Sequence, residues 1–128
     1  MKIVLPIYYE QTFKTKPSKK FLVGLNWYRN AHHMISNKVK HWYHDEVKKQ
    51  ITRQRFNKIR IHYDVYAQRN GTDGANIRSI LEKFVSDGLV VAGVIEDDKI
   101  GILVGDSSNY YIDSENPRIE ITINEVTK

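Results

Sequence analysis

Cysteine is absent from this chain of 128 residues. That excludes disulfides and thiolate zinc sites, and it fits a reducing compartment. No apolar run approaches the roughly 20 residues that a membrane-spanning helix needs. The opening "MKIVLPIYYE" turns polar too early for a signal peptide. There is no Gly-rich phosphate loop, no HExxH zinc motif and no nucleophile-elbow serine. Acidic residues are nearly missing from the first half: residues 1–70 hold 15 Lys/Arg against 4 Asp/Glu, while residues 71–128 hold 5 against 11. The formal net charge of +5 therefore hides a basic half joined to an acidic half. Binding a phosphate backbone needs cations, and cutting one usually needs carboxylates that hold a metal.

The length is that of one domain, long enough to bury a core without covalent staples. "KIVLPIYY" predicts a strand with an edge or bend at Pro6. "EQTFKTKPSKK" predicts a basic loop or hairpin tip, and "FLVGLNWYRNAHH" a short apolar segment leading into a loop. From about Ser36 to Gln54, Val39, Tyr43, Val47 and Ile51 recur every four residues and predict a helix; its other face carries Lys38, Lys40, Lys48, Lys49 and Arg53. "KIRIHYDVY" alternates as a half-buried strand. A second helix is expected from about Ala75 to Asp87, capped by Asp73 or Thr72 and ended by Gly88. "KIGILVGD" predicts a strand, "NYYID" a short one, and "RIEITINEV" a last strand after the turn "SENP". The expected fold is one α+β domain over residues 1–128, a small mixed sheet with two main helices packed on it.

The chemistry gathers at carboxylates. "VIEDDK" sets Asp97 and Asp98 between apolar segments, where packing gives no reason for them. A strand-loop-helix-turn unit can fold back so that Asp73 and these two meet at one edge of the sheet. Hard cations such as Mg²⁺ want carboxylate oxygens and few protein ligands. The alternative is a helix cap at Asp73 and a plain turn at Asp97-Asp98. Asn76, Lys83 and Asp87 line up within about 40° on the second helix, as a polar row beside a phosphate or as a solvated edge. The histidines of "AHH" and "HWYH" suit structural roles or phosphate contacts better than metal. In "LNWYRN", Trp27 and Tyr28 with Arg29 would either stack on a base or be buried.

The order of elements and several strings resemble the RusA family of Holliday junction resolvases, in its phage and prophage branch of Gram-positive hosts. "KIRI" is similar to the strand before the family's D-x-D-N loop, which here reads Asp73-Gly74-Ala75-Asn76. "VIEDD" is similar to the family's closing D-D. "GLNWYRNAHH" resembles its loop built around "SLN", and "DSENPRIEITI" resembles the close of that branch. The resemblance covers most of the chain and is strongest over residues 58–123. It implies a Mg²⁺-dependent homodimer, with Mn²⁺ as a possible substitute, that nicks four-way or other branched DNA in the cytoplasm of a bacterial host. It implies metal binding and catalysis at Asp73, Asp97 and Asp98, and DNA contact at Asn76 and Asn26. Lys83 is the expected catalytic cation. Lys14, Lys16, Lys19, Lys20, Arg29 and Arg69 are expected to hold phosphates. Two positions depart from the family pattern. Ala75 stands where the second aspartate belongs, and Ser79 where many members carry lysine. Lys83 lies one turn beyond Ser79, and Asp87 and Glu96 are the candidates to replace the missing carboxylate. The competing expectations are a branched-DNA-binding protein that no longer cuts, and a small phage protein whose acidic half binds another protein.

Overall fold

The computed structural model describes residues 1–52 and 55–127. The elements in chain order are β1 (Lys2–Pro6), β2 (Tyr8–Gln11), β3 (Lys19–Leu22), α1 (Leu25–Asn30), α2 (His33–Gln50), β4 (Ile59–Ala67), α3 (Gly74–Val91), β5 (Leu103–Ile112) and β6 (Arg118–Glu125). Four strands form a mixed sheet in the order β1-β6-β4-β5, and β2 and β3 form a separate hairpin. The expected α+β architecture is the one observed.

Alternation decides which face of the sheet is buried. Ile59, Ile61, Tyr63, Val65 and Ala67 of β4, with Ile119, Ile121 and Ile123 of β6, turn inward. The intervening positions of both strands, from His62 to Tyr66 and from Arg118 to Thr122, stay partly exposed on the opposite side. The core is completed by Val39, Tyr43 and Val47 of α2 and by Ile77, Ile80, Leu81, Phe84, Val85 and Leu89 of α3. Tyr43 stacks on Phe84 with ring centroids 5.7 Å apart and donates its hydroxyl to the Pro6 carbonyl at 2.7 Å. Burial pushes the phenol of Tyr43 far above its ordinary pKa, so it remains a neutral donor.

Several boundaries differ from the sequence expectation. "KIVLPIYY" is two strands in different sheets, because the chain bends at Ile7. "LNWYRN" is helix α1, not a loop. Helix α2 begins at His33, three residues early, and is followed by an extended Ile51; the predicted Arg53 and Gln54 lie outside the described residues. Helix α3 runs four residues past Asp87. Gly88 is inside it and buried, where an added Cβ would stand 3.4 Å from Val47, so this glycine serves the α2–α3 approach. The helix ends at Gly93, φ +80. There Val94 N–H bonds Leu89 O and Gly93 N–H bonds Val90 O, both at 3.0 Å, the paired bonds of a Schellman end. "GILVGD" and "NYYID" merge into one ten-residue strand, β5.

The two outer strands are treated differently. On β1, the Gln50 side chain donates to Val4 O at 2.7 Å and accepts from Val4 N–H at 2.8 Å. On β5, the one strand partner among the described residues is β4, which it joins in parallel from Ile59↔Leu103 to Ala67↔Ile112. A parallel pair needs a crossover, and α3 is that crossover.

Candidate nucleic-acid interface

Asp73 is the N-cap of α3 and accepts from Asn76 N–H at 3.3 Å. Asn76 in turn accepts on its side-chain oxygen from the backbone N–H of Asn26 at 3.2 Å. The close approach requires Gly24, where a Cβ would sit 2.7 Å from the Asn76 amide nitrogen. Three residues that the sequence singles out, from segments 50 positions apart, therefore share one corner of the molecule.

The basic hairpin is rooted at the same end of the sheet. Tyr8, at its base, donates to the Gln68 side chain at 3.1 Å, just past the last residue of β4. Lys14, Lys16, Lys19 and Lys20 are exposed along the hairpin, and Arg29 and Arg69 are exposed beside it. Lys20 lies over the Tyr8 ring and Lys16 over the Phe13 ring, which keeps both cations at the surface. Trp27 stacks on Phe21 at 5.1 Å and Tyr28 packs edge-on against Phe84. Those half-buried aromatics fasten α1 to the body.

Lys83 is exposed and donates to the Tyr28 hydroxyl at 3.1 Å, with its ammonium 5.0 Å from that ring. It shares the α1-facing side of α3 with Asn76, but it lies ten residues beyond Asp73, roughly 15 Å along the axis. The Ser79 hydroxyl bonds its own helix at Ala75 O, 2.7 Å away.

The expected meeting of Asp73 with Asp97 and Asp98 within one chain does not occur. Asp73 opens α3 at the Ala67 end of β4. Asp97 and Asp98 follow α3 and precede β5, at the Ile59 end, where Phe56 N–H bonds Val94 O and Ile59 N–H bonds Ile102 O, both at 2.8 Å. The 18 residues of α3 separate them by roughly 27 Å. Asp98 instead bonds the neighbouring Asp97 carboxylate through its backbone N–H at 2.8 Å, as in a local turn. Glu96 shares that far end. Asp87 lies near His44, whose pKa burial depresses and Asp87 partly restores. Among the described residues no three His, Asp or Glu side chains gather as a cation site. A single chain therefore does not fit Mg²⁺ at the expected set.

Two polar clusters were not anticipated. Arg78 on α3 bonds Asp106 at 2.6 Å and Ser108 at 2.8 Å on β5. It also lies 3.7 Å from Glu82, whose pKa is raised first by burial and then by Asp106. On the other face of the sheet His62 sits between Ser107, at 2.6 Å, and Asp64, at 3.0 Å. Neither has a sequence signal beyond β5 itself: placing "GDSSNYY" next to β4 is what creates both.

No protein-family model matches the chain. No curated protein matches it significantly.

Proposed function

We propose that the protein is an endonuclease for branched DNA, with four-way junctions as its substrate and Mg²⁺ as its cofactor. The observation that carries this reading is the junction of Asp73, Asn76 and Asn26 at the end of the domain where the basic hairpin is rooted. The positions the RusA resemblance marks for DNA thus meet beside the chain's richest supply of exposed cations. Lys14, Lys16, Lys19, Lys20, Arg29 and Arg69 would hold phosphates, and phosphate contacts position a duplex without reading its sequence. Junction shape is then the basis of selection. Inside one chain the carboxylates do not fit a shared ion; in the homodimer that the resemblance implies, carboxylates from two chains would be the ones to hold it.

A second reading is junction binding without cleavage. It is favoured by the separation of Asp73 from Asp98, by Ala75 in place of a carboxylate, and by Ser79 spending its hydroxyl on the helix backbone. One assay divides the two. A labelled four-way junction and a linear duplex of the same sequence are incubated with the protein in Mg²⁺ or in EDTA. Paired nicks in the junction alone, dependent on Mg²⁺ and lost in Asp73→Asn, are expected. Tight junction binding with intact strands at every Mg²⁺ and Mn²⁺ concentration leaves only the second reading. Equal binding to duplex and junction sinks both.

A further inference from the structure

The face of the sheet turned away from the helices carries a row of three flat groups. Arg118 of β6, Tyr66 of β4 and Tyr111 of β5 are partners across the strands. The Arg118 guanidinium lies over the Tyr66 ring, 3.9 Å from its centroid. Tyr66 stacks on Tyr111 at 4.9 Å with an interplanar angle of 21°. The inner end of the row is fixed: Arg118 donates to Glu120 at 2.7 Å, to Asp113 at 2.8 Å and to the Asn116 carbonyl at 2.9 Å. The outer end is open, because β5 is the last strand of the sheet and Tyr111 is 44% exposed.

A cross-strand aromatic pair steadies a sheet, which accounts for Tyr66 meeting Tyr111. It does not account for a guanidinium held by three bonds behind them, nor for an outer ring left to water. Tyr8 and Tyr28 pack against the core, whereas Tyr66 and Tyr111 do not. A further flat group added to the end of the column would cover the open ring, and the charge nearby says which kind. Arg69 and Asn70 line one groove with Tyr111, and the lysine hairpin is rooted at this end of the sheet through Tyr8 and Gln68. A nucleobase finds there a ring for its face and cations for its phosphate, the two parts of a single-strand site. Asp113 and Glu120 are paired with Arg118 and do not stand bare against a phosphate. Glu115, exposed on the turn after β5, disfavours phosphates on that side and leaves the Arg69 side to the backbone. Inside a duplex each base is covered by its neighbours, so only unpaired strand can offer a face to Tyr111.

We propose that the Arg118–Tyr66–Tyr111 row is a stacking platform for an unpaired base of single-stranded DNA, with the base on the outer face of Tyr111 and its phosphate at Arg69. The choice of DNA as the ligand rests on the branched-DNA reading above. The platform adds a substrate class to that reading: a junction with an unpaired arm is bound more tightly than a fully paired one.

The test uses the full chain with a short thymidine oligomer, a paired duplex, and a four-way junction with and without a thymidine tail on one arm. Tyr111→Ala, and Tyr111→Thr, which removes the ring but suits a strand, should weaken oligomer binding by about 5- to 150-fold, the worth of one stacked base. Both should leave the duplex unchanged, and thermal melts establish that each variant is folded. Tyr111→Phe should bind as the native protein does, because it keeps the ring. A 2-aminopurine in the oligomer should lose fluorescence on binding the native protein and lose less with Tyr111→Thr. The tail should tighten junction binding by the native protein and not by the ring-less variants. Oligomer binding that ignores loss of the ring overturns the platform, as does an equal loss in Tyr111→Phe or on the duplex. If junctions are nevertheless bound and cut, the endonuclease reading stands. Ring-dependent oligomer binding by a protein with no preference for junction over duplex keeps the platform and overturns that reading. A protein that binds none of these DNAs overturns both.

Discussion

The side-chain oxygen of Asn76 accepts the backbone N–H of Asn26 at 3.2 Å, and this one bond couples the first turn of α3 to α1. Asn76→Ala should lower stability by about 1 kcal/mol, the net worth of one such bond. The change is followed by urea denaturation in a Trp42→Phe background, where the fluorescence of Trp27 is a local probe of α1. In the DNA-binding reading, junction affinity should fall as well. An unchanged denaturation midpoint would show that the aromatic contacts and the Lys83–Tyr28 bond suffice to hold α1.

Binding to junction DNA should weaken steeply with salt. A footprint of about 6–10 phosphates corresponds to a loss of roughly 10³–10⁵ in affinity between 50 and 200 mM salt. Replacing Lys14, Lys16, Lys19 and Lys20 together by Ala should flatten the slope of log K against log salt by up to about four contacts' worth. A slope that does not move places the phosphate surface elsewhere, with the lysines of α2 the next candidates.

Gly88→Val should destabilise the fold by about 1–3 kcal/mol through overpacking. Even the first added carbon stands 3.4 Å from Val47 and 3.5 Å from His44. Gly88→Ala should cost far less, because the gain of up to about 1 kcal/mol in helix propensity offsets the tight contact. Thermal melts of the two variants side by side decide this. Equal melting temperatures would mean that α2 and α3 can move apart freely.

His44 should make stability fall on mild acidification. Burial lowers its folded-state pKa below the ordinary value near 6.5, with His41 and Lys40 adding to the effect and Asp87 opposing it. The unfolded chain therefore binds more protons than the folded one as pH drops through 6.5 toward the folded value. The stability contributed by the neutral ring is complete above that window and lost below it. Urea midpoints measured from pH 7.5 to pH 5.5 should decline, and His44→Gln should flatten the decline. A steeper decline in the variant would assign the titration to another group.

Much of the body was legible from the sequence for a definite reason. The runs through Ile77, Leu81 and Phe84 and through Ile59, Ile61 and Tyr63 each bury one face, and burial imposes a period that can be counted. Strand β5 has no such period. It lies at the sheet edge, its helix-side positions Asp106 and Ser108 meet Arg78 instead of core, and its sequence reads as two fragments. Missing its unity hid the direction of the crossover. A parallel β4-α3-β5 unit must send the loops before and after its helix to opposite ends, so Asp73 and Asp98 cannot be neighbours in one chain. Side-chain pattern records which face of an element is buried but carries no sign of which way the next strand runs.

The two hydrogen bonds between Gln50 and Val4 limit the size of any assembly built by strand addition. A sheet with two bare edges adds neighbours without end and grows into a fibre. Here an amide already fills the place of a neighbour on β1, so strand addition is blocked at that edge. Gln50→Ala would bare it, and the variant's light-scattering signal should climb with concentration more steeply than the native protein's.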